Sequence, residues 1–430
     1  MQTLTIRKKD ACSGVVSIPS SKSYIHRFLF SALLADGVSV VENVSLSDDV
    51  KATLSCIEAL GAKVTLSDDR RTVTVCGGIK KTESALLNCN ECGSTLRFVI
   101  PIAVVLCGSA RFTGGGKLME RPLEQYFKIF DDNGIDYTFE KGRYLDVSGD
   151  FKKSVYHIDG SVSSQFVTGM LYALALSENG GEIVIDGILQ SKPYVDITLE
   201  VLSRSGIEVE NHGYERFTVR GGQSFKSGHF RACGDWSQAA FFLTAGAISG
   251  KVGVKNIDFS SHQGDAVIVD ILKKMGAKIT QTANGVFAEK SELKAIGGIN
   301  AENFPDIVPV LSLACALAEG TSRIYGIERL RYKECDRVEA VMALISKLGG
   351  KISLTDNSLV IEGMRSLCGG VADSFNDHRI AMTASVASLA CEGEVTIKDP
   401  WCINKSYPDF YEDLLSTGGV MYEWNVGQCD

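Results

Sequence analysis

Residues Glu58-Ala59-Leu60-Gly61-Ala62-Lys63-Val64 close an amphipathic helical pattern with a glycine and turn at once into a strand-like run. The phrase recurs as D-D-N-G-I-D-Y at Gly134, S-R-S-G-I-E-V at Gly206, K-K-M-G-A-K-I at Gly276, S-K-L-G-G-K-I at Gly349 and L-S-T-G-G-V-M-Y at Gly418. Successive glycines stand 73, 72, 70, 73 and 69 residues apart. Each fits the position just past a helix end, where the backbone turns left-handed and a side chain is penalised. A period of this length marks a repeated supersecondary unit, so the architecture follows from the copy number.

Upstream of each amphipathic helix lies a second helical pattern, apolar nearly all round, at residues 24–35, 96–107, 166–177, 239–248, 307–318 and 380–390. A helix without a polar face must be buried on every side. Short runs such as V-S-V-V (38–41), E-I-V-I-D (182–186) and E-V-T-I (394–397) separate the two helices. Two alternating runs follow the glycine, so each unit reads βαβαββ in some cyclic order. The sixth copy lacks its last run after Tyr422, and L-T-I-R at 4–7 has the right alternation to supply it. The N-terminus is therefore expected to cross over and complete the last unit. The predicted fold class is α/β, with two lobes of three repeats each, buried helices inside and sheets around them. The expected boundaries are 15–227 for the first lobe and 228–430 for the second, completed by 1–14, with the crossing in the Gly/Ser/Lys stretch 221–233.

Aligning the units puts the starts of the six buried helices in register: S-S-K-S (20–23), G-S-T-L-R (93–97), S-S-Q (163–165), G-D-W-S (234–237), F-P-D (304–306) and N-D-H-R (376–379). Three of them carry a cation in or beside the first turn: Lys22 with Arg27, Arg97, and His378 with Arg379. A helix start exposes unpaired N–H groups and about half a positive charge, so a cation there is unfavourable unless an anion is held nearby. Three such cations at equivalent positions point to a shared anionic ligand. Arg121 in M-E-R-P-L, with Pro122 read as the first helical residue, adds another. Lys333, Glu334 and Arg337 in Y-K-E-C-D-R sit at a further helix start, where an exposed charge cluster is an equally open reading.

A net charge of −8 without a basic stripe argues against nucleic acid and anionic membrane surfaces as natural partners. No apolar run is long enough to span a bilayer and the N-terminus lacks an apolar signal region, so a cytoplasmic enzyme is expected. The G-G-G-K at 114–117 misses phosphate-loop spacing and reads as a turn. Thirteen cysteines without framework spacing read as reduced thiols. Cys89 and Cys92 form a C-x-x-C with no further ligand pair near it in sequence, and read as incidental thiols. No metal and no organic cofactor is expected.

The motifs S-K-S-x-x-x-R (21–27), G-S-V-S-S-Q-F (160–166), S-K-P-Y (191–194), K-E-C-D-R (333–337) and N-D-H-R-x-A-M (376–382) together resemble those of the 5-enolpyruvylshikimate-3-phosphate synthases, in the enolpyruvyl transferase family. The resemblance covers nearly the whole chain and implies transfer of the carboxyvinyl group of phosphoenolpyruvate to the 5-hydroxyl of 3-phosphoshikimate. It also implies two lobes of three repeats that close around the substrates, and a monomer is expected. Lys22, Ser23, Arg27, Ser163, Ser164, Gln165, Ser191, Tyr194, Asp306 and Lys333 would hold 3-phosphoshikimate. Lys22, Gly93, Arg121, Gln165, Arg337, Arg379 and Lys405 would hold phosphoenolpyruvate, with His378 beside Arg379. Asp306 is expected to act as the base at the 5-hydroxyl, and Glu334 with Lys22 as the acid/base pair at the methylene and the leaving phosphate.

Two departures stand out. The loop E-C-G-S-T-L-R (91–97) differs from the family's commoner N-A-G-T-A-M-R, and Arg329 stands where Asn is commoner. The alternatives are a UDP-N-acetylglucosamine enolpyruvyl transferase, which usually carries a reactive Cys in the segment that here, at 108–119, has none, a non-catalytic anion-binding protein on the same scaffold, or a nucleic-acid end-processing relative, which would need a basic groove.

Overall fold

The computed structural model describes residues 2–78, 81–283 and 285–425. Its twelve α-helices in the described residues are α1 (Lys22–Leu34), α2 (Asp48–Ala59), α3 (Gly93–Leu106), α4 (Glu124–Asn133), α5 (Ser164–Leu176), α6 (Lys192–Arg204), α7 (Trp236–Ser249), α8 (Ile268–Lys274), α9 (Val308–Ala316), α10 (Arg337–Lys347), α11 (His378–Ala387) and α12 (Phe410–Ser416). The odd-numbered helices are the apolar ones. All nine residues of α9 and all ten of α11 are buried, as their sequences require. The even-numbered helices are two-faced, and α4 buries only Gln125, Tyr126, Ile129, Phe130 and Asn133. The glycine past each of them lies in the left-handed region, from φ 65° at Gly134 to φ 98° at Gly61. A Cβ would strain the turn that sends the chain back as a strand.

Each repeat contributes one four-stranded sheet with one fixed order. In the second repeat Thr82–Asn88 runs parallel to Cys107–Thr113, which pairs antiparallel with Tyr144–Ser148, and that with Asp136–Glu140. The sixth sheet keeps this order with a substitute. Gly370–Asp373 lies parallel to Val395–Lys398, and the N-terminal strand Thr3–Lys8 is inserted between Val395–Lys398 and Val420–Asn425. Thr3–Lys8 thus occupies the place that Tyr144–Ser148 has in the second sheet. Leu4 and Ile6 point inward and are fully buried, while Thr5 faces the other way and shares a 2.9 Å hydrogen bond with Thr396. A one-residue slip would exchange the two faces, so burial fixes the register.

The chain forms two compact units, one of Ser20–Cys233 and one of Met1–Pro19 with Gly234–Asp430. These limits differ from the expected 15–227, 228–430 and 1–14 because one short edge strand straddles the first boundary and another lies just past the second. Ser13–Ser17 pairs in parallel with Lys251–Lys255 and belongs to the fourth repeat. His229–Arg231 pairs in parallel with Gly37–Glu42 and belongs to the first. Each crossing therefore occurs after the strand, at Pro19 and at Cys233. Both strands are too short to announce themselves by alternation.

Within Ser20–Cys233 the three buried helices meet through aromatic rings. Phe30 of α1 packs edge-on to Phe98 of α3 at 6.1 Å and lies 6.4 Å from Tyr172 of α5, whose hydroxyl donates to the Arg27 carbonyl. In the other unit α7, α9 and α11 pack on one another, with Phe242, Tyr407 and Phe410 forming an aromatic cluster against them. No helix among the described residues is long and apolar enough to cross a membrane.

Ile6→Ala removes a fully buried side chain from the inserted strand, and a loss of about 2–5 kcal/mol is expected from transfer and cavity terms. Urea unfolding should register that loss, with hydrogen exchange rising first in Val395–Lys398 and Val420–Asn425. Wild-type stability would show that the crossing strand does not hold the sixth sheet.

Candidate functional site

The candidate residues fall at the starts of the buried helices in both units, and each unit is described separately. In Ser20–Cys233 those starts carry neutral caps: Ser21 for α1, Cys92 for α3 and Ser163 for α5. Ser163 Oγ accepts from the Gln165 amide, and Cys92 Sγ accepts from the Thr95 amide at 3.4 Å. Neutral caps leave the positive ends of the helices uncompensated.

Lys22, the first residue of α1, donates to Asp49 Oδ2 at 2.6 Å across to α2. Arg27, one turn on, is buried beneath it. Its Nε donates to Thr198 Oγ1 at 2.8 Å, Nη1 to the Ser23 carbonyl at 2.7 Å, and Nη2 to the Tyr194 carbonyl at 2.9 Å and Thr168 Oγ1 at 3.4 Å. These bonds tie the starts of α1 and α6 to α5, and they use four of the five donors of the guanidinium. Burial pulls the Arg27 pKa down to about 10, so it stays cationic at neutral pH. Ser191 caps α6 with a left-handed backbone, φ 56°, and is buried beside half-buried Tyr194.

Arg97 joins α3 to α5. Its Nη1 donates to Gln165 Oε1 at 2.8 Å and its Nη2 to the Pro122 carbonyl at 3.1 Å, while Gln165 Nε2 donates to Ser94 Oγ at 2.9 Å. Arg121 lies flat against Gly93, and a Cβ on Gly93 would sit 2.6 Å from Arg121 Nη1. A side chain at Gly93 would displace the Arg121 guanidinium from this place. Pro122 is not the first helical residue, however. Arg121 ends the 3-10 turn Leu118–Glu120, and α4 starts only at Glu124, capped by Leu123. The stretch 114–117 is a turn, as its spacing indicated, fixed by the Gly115 amide donating to the Asn90 carbonyl at 2.6 Å.

In the other unit acids sit at the helix starts. Asp235 caps α7, Asp377 caps α11, and Asp306 lies in the 3-10 turn Pro305–Ile307 that leads into α9. Arg337, the first residue of α10 and 1 % exposed, lies among three carboxylates. Its Nε donates to Asp377 Oδ2 at 2.7 Å, Nη1 to Asp306 Oδ1 at 2.9 Å and Nη2 to Glu334 Oε2 at 2.7 Å. Arg379 Nη2 reaches Asp306 Oδ2 at 3.2 Å, and Lys333 Nζ reaches Asp306 Oδ1 at 3.4 Å. Asp306 is thus held by three cations. Burial lowers the pKa of Arg379, but the negative charges of Asp306, Asp235 and Asp265 outweigh it and the net shift is upward. Lys405 is buried and donates to the Asn376 carbonyl at 2.6 Å. The His378 imidazole is buried too, 4.0 Å from Asp377.

Sequence reasoning named Asp306 and Glu334 but missed two further acids beside these cations, Asp49 and Asp265. Asp49 follows the Ser47 cap of α2, and its only sequence signal is an ordinary acidic first turn. Asp265 is buried against Ser237, whose hydroxyl donates to it, and burial with the Asp306 charge pushes its pKa up to about 7. Arg329 does not face solvent; it is buried and donates to the Glu302 carbonyl. Cys92 is a helix cap beside His26, and Cys89 lies 4.0 Å from Cys56, so the C-x-x-C is two separate packing roles.

Lys333 gives this cluster a pH limit. Burial pulls its pKa down to about 8 against the pull of Asp306. The folded chain therefore loses one positive charge beside Asp306 as the pH rises through 8. Reductive methylation with ¹³C-labelled formaldehyde followed by NMR should show one lysine titrating near pH 8, absent from Lys333→Met. A Lys333 signal titrating at the ordinary lysine value would contradict the desolvated placement.

Residues 6–414 match the family model described as EPSP synthase (3-phosphoshikimate 1-carboxyvinyltransferase). The proteins named 3-phosphoshikimate 1-carboxyvinyltransferase from Clostridium beijerinckii and Clostridium acetobutylicum are 43 % and 41 % identical to this chain. The first alignment covers 97 % of this chain and 98 % of the relative, the second 96 % and 97 %. The solved EPSP synthase of Acinetobacter baumannii superposes with a TM-score of 0.80 at 25 % identity, over 99 % of this chain and all of that one. The enolpyruvyl transferase NikO of Streptomyces tendae shares the fold, with a TM-score of 0.80 at 20 % identity over 99 % of each chain.

Proposed function

The chain belongs to the EPSP synthase family, the 3-phosphoshikimate 1-carboxyvinyltransferases, and we propose that the helix-start clusters described in each unit serve that reaction. The enzyme transfers the carboxyvinyl group of phosphoenolpyruvate to 3-phosphoshikimate and releases phosphate. The UDP-N-acetylglucosamine alternative is not favoured, since the relatives and the family model carry the shikimate name. The observation that supports the residue roles best is the seating of Asp306 among Lys333, Arg337 and Arg379.

The substrates bring two phosphates and two carboxylates, and such repulsion is offset only by several cationic forks and helix ends. The neutral-capped starts of α1, α5 and α6, with Lys22, Ser23, Arg27, Ser163, Ser164, Gln165, Ser191 and Tyr194, take 3-phosphoshikimate. Arg27 contributes its remaining donor and otherwise fixes the geometry of its neighbours. Asp306 and Lys333 complete that set. Lys22, Gly93, Arg121, Gln165, Arg337, Arg379 and Lys405 take phosphoenolpyruvate, and His378 supports Arg379 from the same helix turn. Substrate binding then weakens above pH 8, where Lys333 loses its charge.

A proton is added to the methylene carbon of phosphoenolpyruvate, and the 5-hydroxyl of 3-phosphoshikimate attacks the carbon so activated while Asp306 accepts the hydroxyl proton. The tetrahedral adduct loses a proton from the new methyl group, and its carbon–oxygen bond to phosphate breaks. Glu334 and Lys22 serve these proton transfers at the methylene and at the leaving phosphate. Three cations beside Asp306 oppose its protonation, so it works as a base only once substrate anions draw part of that charge away. The enzyme works as a monomer in the cytoplasm.

Phosphate release from phosphoenolpyruvate should require 3-phosphoshikimate and should not occur with UDP-N-acetylglucosamine. Asp306→Ala should keep 3-phosphoshikimate binding by calorimetry and lose turnover about 100-fold or more, the order expected for a general base. Release driven by the nucleotide sugar would overturn the substrate assignment, and full turnover in Asp306→Ala would remove it from the mechanism.

A further inference from the structure

His26, Asp49 and Cys92 bring an imidazole nitrogen, a carboxylate oxygen and a sulfur within 4.8 Å of one another, all buried, in the unit of Ser20–Cys233. Three elements converge to do this: α1 carries His26, α2 carries Asp49, and Cys92 caps α3. His26 Nε2 lies 3.7 Å from Cys92 Sγ. Around a tetrahedral zinc ion with bonds of about 2.0–2.3 Å, ligand atoms stand roughly 3.3–3.7 Å apart, so this pair is already at coordinating separation.

The outer contacts favour the same reading. His26 Nδ1 lies 2.6 Å from Thr53 Oγ1, and Thr53 Oγ1 donates to the Asp49 carbonyl at 3.4 Å. In the tautomer protonated at Nδ1, the Thr53 hydroxyl accepts from Nδ1–H and the Nε2 lone pair faces the sulfur. A histidine ligand held through its second nitrogen is the usual outer-shell arrangement of metal sites. Thr95 Oγ1, 2.6 Å from Thr53 Oγ1, fixes that threonine from the far side, and the Thr95 amide orients the sulfur.

We propose that His26, Asp49 and Cys92 form a binding site for a thiophilic divalent cation such as Zn²⁺, in competition with Lys22 for Asp49. On binding, the Cys92 S–H bond breaks, the proton leaves to solvent, and the sulfur lone pair goes to the metal. No electron is transferred. The Lys22 ammonium, 2.6 Å from Asp49 Oδ2, gives up that carboxylate to the ion. The ion is an inhibitor and not a cofactor. That consequence rests on the role proposed for Lys22, whereas the binding does not.

The test is titration of the full chain with Co²⁺, read by thiolate-to-metal charge-transfer absorption and by displacement with Zn²⁺. The wild type should bind one Co²⁺ with that band. Cys92→Ser, which retains an oxygen to cap α3, and His26→Asn should each lose it while keeping the far-UV spectrum of the wild type. Lys22→Ala should bind Co²⁺ at least tenfold more tightly, because the competing ammonium is gone. Absence of the band in the wild type, its survival in Cys92→Ser or His26→Asn, or unchanged affinity in Lys22→Ala would each overturn the site. Because the readout is spectroscopic, failure here is separate from failure of the carboxyvinyl transfer assay.

Discussion

The buried guanidinium of Arg337 is the constraint on which the rest of its unit depends. A charge taken out of water persists only when it is paired and its hydrogen-bonding capacity is met. Asp377, Asp306 and Glu334 meet it from three places in the sequence. Asp377 simultaneously caps α11 by accepting from the Arg379 amide at 2.9 Å. One cation therefore fixes the starts of α9, α10 and α11 relative to one another, and it does so at the end of each helix where an anion is most favoured.

The two units resolve the same problem in opposite ways. Six repeats of one topology bury six apolar helices, whose N-termini carry unpaired amides and partial positive charge. In the unit of Gly234–Asp430 the chain supplies acids there, at Asp235, Asp306 and Asp377. In the unit of Ser20–Cys233 it supplies Ser21, Cys92 and Ser163, with Lys22 the first residue of α1 and Arg97 the fifth of α3. The first set places carboxylates at the positive helix ends, and the second leaves those ends with neutral caps. The repeats thus share their fold and differ in the charge they place at the helix starts.

Much of this was legible in the sequence because the repeat imposes its own arithmetic. The glycine after each two-faced helix, the apolar helix before it, and the missing run after Tyr422 together required Thr3–Lys8 to fill the sixth sheet. The unit boundaries were less legible, since Ser13–Ser17 and His229–Arg231 are edge strands of five and three residues. Cations at helix starts stood out against an acidic chain, but their partners Asp49 and Asp265 did not. An acid in an acidic protein carries no signal until folding places it beside a cation. Pro122 misled for a related reason. A proline marks an N1 position only when the helix begins there, and here a 3-10 turn intervenes.

The claim that Arg337 organises its unit is tested most directly by the stability of Arg337→Met, measured by urea unfolding with hydrogen exchange followed through α10 and α11. Removing one partner from a buried pair leaves uncompensated charge, so the variant should lose about 3–5 kcal/mol, with protection falling first at the starts of those two helices. A variant as stable as the wild type, with α10 and α11 still protected, would contradict the account.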